Sequence, residues 1–217
     1  MMRKNDWVTF IDGLDKETCD KIINLAEDKL VKVSDEEETI DRHIENHKDV
    51  NITDIVWTED QWIYDAVWSY MRQANEEAGW KYDIKSAETM QIARYKKGMF
   101  YDWHPDGKGD HFSVYKSIVN PMLHDCVRKL SMSVILNDDY EGGEFQVAKY
   151  DHWGTSRGVT TGNSWKDREA PGNRTDTVED KTGSVIVFPA DIWHRVKPVT
   201  KGIRYSLTSW FLGPPFR

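Results

Sequence analysis

The hydrophobic pattern of this 217-residue chain changes period near residue 86, and that change decides what it can fold into. Before it, apolar residues recur every three or four positions. Ile22, Ile23, Leu25, Ala26 and Leu30 make a stripe on a helix that Asp15 or Thr18 would cap and that runs to about Leu30. Ile63, Ala66, Val67, Tyr70, Met71 and Ala74 make a second stripe, on a helix from about Glu59 to Ala78, capped by Thr58 and ended by Gly79. After the change come short β-like runs: Ala87–Tyr95, Lys129–Leu136, Gly143–Val147, Ser184–Phe188 and Ile203–Phe211. Two long polar connections, 106–128 and 149–182, break the series. Helices first and antiparallel strands later predict an α+β, mainly β chain, a β-sandwich or jelly roll with helices against one sheet. The expected organisation is one domain over 1–217, with helical support over about 1–85 and a β core over about 86–211.

Charge and cysteine content narrow the function classes. Lys and Arg total 29 against 37 Asp and Glu, a net charge of −8. That balance opposes a nucleic-acid binder working by phosphate neutralisation. Cys19 and Cys126 cannot build a disulfide framework and read as reduced thiols of a cytoplasmic chain. The first ten residues, MMRKNDWVTF, lack the apolar stretch of a secretory signal. Apolar runs such as Val185–Phe188 are far too short to span a bilayer.

Seven histidines are present, and one arrangement among them carries chemistry. On a short strand from Tyr101, positions i and i+2 point to one side, so His104 and Asp106 can grip one ion together. His194, from a distant strand, adds a second imidazole. Two imidazoles and one carboxylate fill one face of an octahedron and leave three positions open, the pattern of non-haem Fe(II) oxygenases. The tripeptide alone arises often by chance. Ten residues after His194 lies Arg204, which an antiparallel hairpin would return beside the histidine. There its guanidinium can hold a carboxylate in bidentate fashion, with Ser206 adding a hydroxyl from the same side.

These residues lie within longer blocks: Tyr95–Asp106 (YKKGMFYDWHPD), Arg128–Phe145 (RKLSMSVILNDDYEGGEF), Gly183–Pro189 (GSVIVFP) and His194–Phe211 (HRVKPVTKGIRYSLTSWF). In order and spacing they resemble the prolyl 4-hydroxylase branch of the Fe(II)- and 2-oxoglutarate-dependent oxygenases, over about residues 86–211. The resemblance implies a double-stranded β-helix. It implies Fe(II) on His104, Asp106 and His194, and 2-oxoglutarate as co-substrate with its distal carboxylate on Arg204. O2 would be the oxidant and ascorbate an accompanying reductant. Tyr95 matches the family's active-site tyrosine and Trp210 its aromatic wall. Gly142 and Gly143 would form a tight turn.

The implied reaction is hydroxylation of a prolyl residue, of the procollagen-proline 4-hydroxylase type, with succinate and CO2 formed. The partner would be a proline-containing peptide or protein met by a monomer, with no nucleic acid and no membrane. The competing readings are hydroxylation of a free amino acid or other metabolite, and a non-catalytic jelly-roll binder. The retained Asp106 speaks against a halogenase, which needs a small residue there. Three departures stand out, one of them the length of the 149–182 insert. Collagen-type members carry Lys where this chain has Arg204. A tyrosine that helps hold the co-substrate in the Arg-bearing branch is matched by Ile135, so Ser206 is expected to supply the missing hydroxyl. Residues 34–51 are a candidate lid. Trp103 and Trp193 are expected to face away from the metal, and His124-Asp125-Cys126 is read as no second metal site.

Overall fold

The computed structural model describes residues 5–35, 51–107, 114–116, 121, 123–149, 174–179 and 181–216. The chain opens with β1 (Val8–Phe10), α1 (Lys16–Asp35), β2 (Asn51–Ile52), β3 (Asp54–Thr58) and α2 (Gln61–Glu77). Then follow β4 (Ser86–Ala87), β5 (Met90–Tyr95), β6 (Phe100–His104), β7 (Val127–Ile135), β8 (Glu141–Gly142) and β9 (Phe145–Lys149). The last elements are β10 (Arg174–Thr177), β11 (Val185–Pro189), β12 (His194–Val196), β13 (Val199–Lys201) and β14 (Arg204–Gly213).

Two antiparallel sheets face each other. The larger runs β1-β11-β7-β14-β5-β3, with β4 added beside β14. The smaller runs β10-β9-β12-β6-β2. This is the double-stranded β-helix that the family resemblance implies, the jelly-roll alternative of the strand pattern.

The central strands of the larger sheet are buried on both faces, so their sequence reads as nearly continuous apolar runs. Alternation still sorts the side chains. Leu130, Met132 and Val134 of β7, with Tyr205, Leu207 and Phe211 of β14, face the helices. Ile135, Ile186, Phe188, Ala93 and Tyr95 face the smaller sheet, where Phe145, Val147 and Val196 meet them.

Both helices form where their stripes predict. In α2 the buried positions Ile63, Val67, Met71 and Ala74 fall on one face. Each large apolar side chain buried there contributes roughly 1.5–3 kcal/mol. The helix stops at Gly79, whose φ of 70° is open to glycine without strain. Asn75 then fixes the exit, bonding the Tyr82 backbone through both its amide nitrogen and its oxygen. The N-cap is Asp60 rather than Thr58, whose hydroxyl bonds the Asp60 carboxylate instead. In α1, Asp15 is the cap: its carboxylate accepts from the Thr18 N–H at 2.7 Å. Cys19, Ile22 and Ala26 are buried beneath α1.

An ion network ties α1 to the larger sheet. Arg94 of β5 donates two bonds to Glu27 of α1 and two to Asp54 of β3, and the Tyr205 hydroxyl donates to Glu27 at 2.7 Å. Three strands in the first third, β1, β2 and β3, differ from the helical reading of that region. All are edge or near-edge pieces of two to five residues, too short for periodicity to reveal.

Candidate active site

The site lies between the two sheets. His104 ends β6 and His194 begins β12, and the two are direct register partners. The ladder slips between His194 and Val196, so Asp102 and Trp103 together oppose Arg195. This bulge re-aims the strand. Tyr101 and His104, three apart, now share the inner face, with rings stacked at 3.6 Å. Trp103 points outward and lies under the Arg195 guanidinium at 4.7 Å, as packing rather than site chemistry.

Each imidazole is oriented by its own chain. His104 Nδ1 donates to the Asp102 carbonyl at 2.7 Å, and His194 Nδ1 donates to the Ile192 carbonyl at 3.0 Å. A carbonyl only accepts, so Nδ1 carries the proton and Nε2 presents a lone pair. Both Nε2 atoms face Asp106, at 3.7 Å from Oδ1 for His104 and 3.5 Å from Oδ2 for His194. Ligand atoms of all three residues lie within 4.8 Å of one another.

Burial, with His194 beside it, pushes the His104 imidazole down to about 3, so it stays neutral. Burial alone would raise the Asp106 carboxyl, but His194, His104 and Arg128 hold it below the usual range. Asp106 Oδ2 is buried without a hydrogen-bond donor among the described residues. Acceptors converging with no proton between them suit a cation.

The second half of the site comes from the larger sheet. Arg204 is fully buried and is the register partner of Tyr95, its guanidinium 5.5 Å above the Tyr95 ring. Burial raises the Tyr95 phenol, although the arginine opposes it. Ser206, two residues on, is buried on the same face, beside Ala93 and Ile135. The expected hairpin from His194 to Arg204 is corrected here. β13 turns aside to pair with β8, and β14 joins the opposite sheet. His194 and Arg204 therefore sit on facing sheets.

Trp210 is buried farther along β14. The Arg128 guanidinium covers one side at 4.2 Å, and the half-exposed Trp57 ring lies 6.1 Å away. Sequence reasoning missed Tyr101, Arg128 and Glu88. No pattern in one strand signals a bulge, and Arg128 and Glu88 are paired only by the fold. Among the described residues, His104, Asp106 and His194 are the group of metal-ligating side chains that converge. The candidate lid falls largely outside the described residues, as do His43, His47, His111 and His152.

The family model described as the 2OG-Fe(II) oxygenase superfamily matches residues 90–212, which include all of these site residues except Trp57 and Glu88. The chain belongs to that superfamily. Membership implies an oxidoreductase with Fe(II) as its metal and 2-oxoglutarate and O2 as co-substrates, and the His-Asp-His cluster suits the iron.

A PKHD-type hydroxylase of Idiomarina loihiensis is 26% identical over 126 residues, covering 58% of this chain and 43% of the relative. A PKHD-type hydroxylase of a Synechococcus strain is 28% identical over 129 residues, again covering 58% and 43%. The chain thus matches less than half the length of these curated relatives.

Among solved structures, the viral collagen prolyl hydroxylase of Paramecium bursaria Chlorella virus-1 aligns over 96% of this chain and 97% of its own. Its TM-score is 0.61 at 17% identity. A Trichoplax adhaerens prolyl hydroxylase, solved with a hypoxia inducible factor peptide fragment, gives 0.63 at 16% identity over 95% and 83%. A Pseudomonas putida prolyl-4-hydroxylase gives 0.58 at 18% identity over 95% and 91%. The fold is thus that of prolyl hydroxylases. No helix among the described residues is long and apolar enough to cross a membrane.

Proposed function

We propose that this oxygenase hydroxylates a prolyl residue of a peptide or protein, with His104, Asp106 and His194 as the iron ligands. The observation that carries the proposal is the pairing of two features between the facing sheets: converging acceptors at the β6–β12 side and a buried arginine on β14. A molecule that chelates at one end and carries a carboxylate at the other fits that pairing, and 2-oxoglutarate is such a molecule. Iron held by His104, Asp106 and His194 would supply the oxygen-activating chemistry, in which O2 gives one oxygen atom to succinate, formed with CO2 from 2-oxoglutarate, and the other to a substrate C–H bond.

The chain's own residues bind and orient. Arg204 takes the distal carboxylate as a charged fork, with Ser206 as a second donor and Tyr95 as the aromatic floor. The carbonyls of Asp102 and Ile192 hold both imidazoles in the ligating tautomer. Trp210 serves as the aromatic wall of the co-substrate region.

The prolyl substrate is supported by the prolyl-hydroxylase neighbours in fold and by the hydroxylases among the relatives. The 217 residues form one catalytic domain acting as a monomer in the cytoplasm, and ascorbate serves as reductant. The test is incubation with Fe(II), ascorbate, 2-oxoglutarate and a panel of proline-containing peptides, with mass spectrometry of succinate and peptide. The expected result is succinate matched by a one-oxygen gain on proline. Succinate raised instead by free amino acids, with every peptide untouched, would overturn the prolyl assignment.

A further inference from the structure

The three proposed ligands are not held alike. His104 and His194 stand in paired strands, each with its ring bonded to a nearby carbonyl. Asp106 lies beyond the end of β6, outside any ladder. Two contacts fix its peptide: the Gly107 N–H donates to the Ala190 carbonyl at 2.8 Å, and Arg128 Nη1 donates to the Asp106 carbonyl at 3.0 Å.

Arg128 is itself built in. Its Nε and Nη2 donate to the two oxygens of Glu88, each at 2.6 Å, and its plane rests on Trp210. Glu88 in turn is fixed at both backbone groups. Its N–H donates to the Trp210 carbonyl at 2.9 Å, and its carbonyl accepts the Tyr64 hydroxyl of α2 at 2.9 Å. An unbroken chain of short bonds thus runs from β14 and α2, through Glu88 and Arg128, to the ligand that lacks a strand.

We infer that Glu88 and Arg128 are a positioning pair that sets the Asp106 carboxylate for the metal. The inference rests on the assignment of Asp106 as a ligand. Glu88 never needs to touch metal or substrate. It locks the fork of Arg128, leaving one N–H aimed at the Asp106 carbonyl and the guanidinium face on Trp210. A lysine at 128 would be a point donor unable to serve Glu88 and Asp106 together. Partners that orient a ligand from behind typically change metal affinity by about 10–100-fold when removed.

The test is a Co(II) titration of the full chain, following the visible bands of the bound ion, for wild type, Asp106→Ala, Glu88→Gln, Arg128→Lys and the last two combined. Thermal melts of the metal-free proteins accompany it. Asp106→Ala is expected to abolish binding. Glu88→Gln and Arg128→Lys are each expected to weaken it about tenfold or more. The double variant should be little worse than either single, because one device is being broken twice.

A merely structural salt bridge would lower the melting temperature and leave Co(II) affinity and bands alone. Affinity within twofold of wild type in both single variants, with Asp106→Ala dead, overturns the inference and spares the metal site. Unchanged binding by Asp106→Ala overturns the ligand assignment itself. If Glu88→Gln does not fold, Arg128→Lys gives the same readout.

Discussion

Gly143 links backbone conformation to the proposed carboxylate anchor, so Gly143→Ala makes a quantitative test. The residue sits at a φ of 70°, and a Cβ built there would lie 3.0 Å from Arg204 Cδ, 3.1 Å from Val199 Cγ2 and 3.3 Å from Tyr140 Cε2. Gly98 provides the control: its φ is 86°, and a Cβ there meets nothing within 4 Å. Both alanines suffer the left-handed penalty of about 1–2 kcal/mol. Only the alanine at 143 crowds the arginine. A contact that close is tighter than carbon atoms prefer, so Arg204 must give by a few tenths of an ångström. A hydrogen bond from the guanidinium to the carboxylate is then lengthened and weakened, with its complete loss as the upper bound of the effect. One such bond to a charged group is worth about 1.5–3 kcal/mol, which corresponds to roughly 10–150-fold in affinity. The assay is calorimetric titration of 2-oxoglutarate into Co(II)-loaded protein, with thermal melts of each variant. Gly98→Ala should lower the melting temperature and leave the affinity alone, whereas Gly143→Ala should lower both. Equal 2-oxoglutarate affinity in the two folded variants would refute the reasoning that Arg204, in this position, holds the carboxylate.

Two further outcomes are expected. In Asp54, burial would raise the carboxyl, but bonds from Arg94 and Lys96 hold it below its ordinary value of 3.8. Its contribution is therefore present above that value and is lost as pH falls through the folded one. Denaturant melts of Asp54→Asn should show a loss of about 1–3 kcal/mol at pH 7, closing in acid well below pH 3.8; a gap independent of pH would remove the charge argument. Ser206→Ala should weaken 2-oxoglutarate binding by about 0.5–1.5 kcal/mol in the same calorimetric assay, and an unchanged constant would end its assigned role.

The legible parts of the sequence were those where period and burial coincide. The stripe from Ile63 to Ala74 and the runs in β5, β7, β11 and β14 exposed the two helices and the central strands, because each buries a whole face. His104, Asp106 and His194 were legible as chemistry, and the fold brings them together. What stayed hidden depends on pairing across long distances. The edge strands β1, β2 and β10 carry too few residues for a period and are defined by their partners. The path from His194 to Arg204 looked like one hairpin because ten residues fit that loop, yet β13 pairs elsewhere and sends the arginine to the facing sheet. The bulge that puts Tyr101 against His104, and the grip of Glu88 on Arg128, leave no mark in local composition.

The most direct test of the central claim is an anaerobic titration of the Fe(II)-loaded protein with 2-oxoglutarate, following the visible charge-transfer absorption that a chelated keto acid gives on iron. The account predicts a saturating band with one iron and one 2-oxoglutarate per chain. The band should be absent in Asp106→Ala, and Arg204→Met should need about 3–5 kcal/mol more driving force, read as a higher half-saturation. A band of full intensity and unchanged half-saturation in both variants would contradict it.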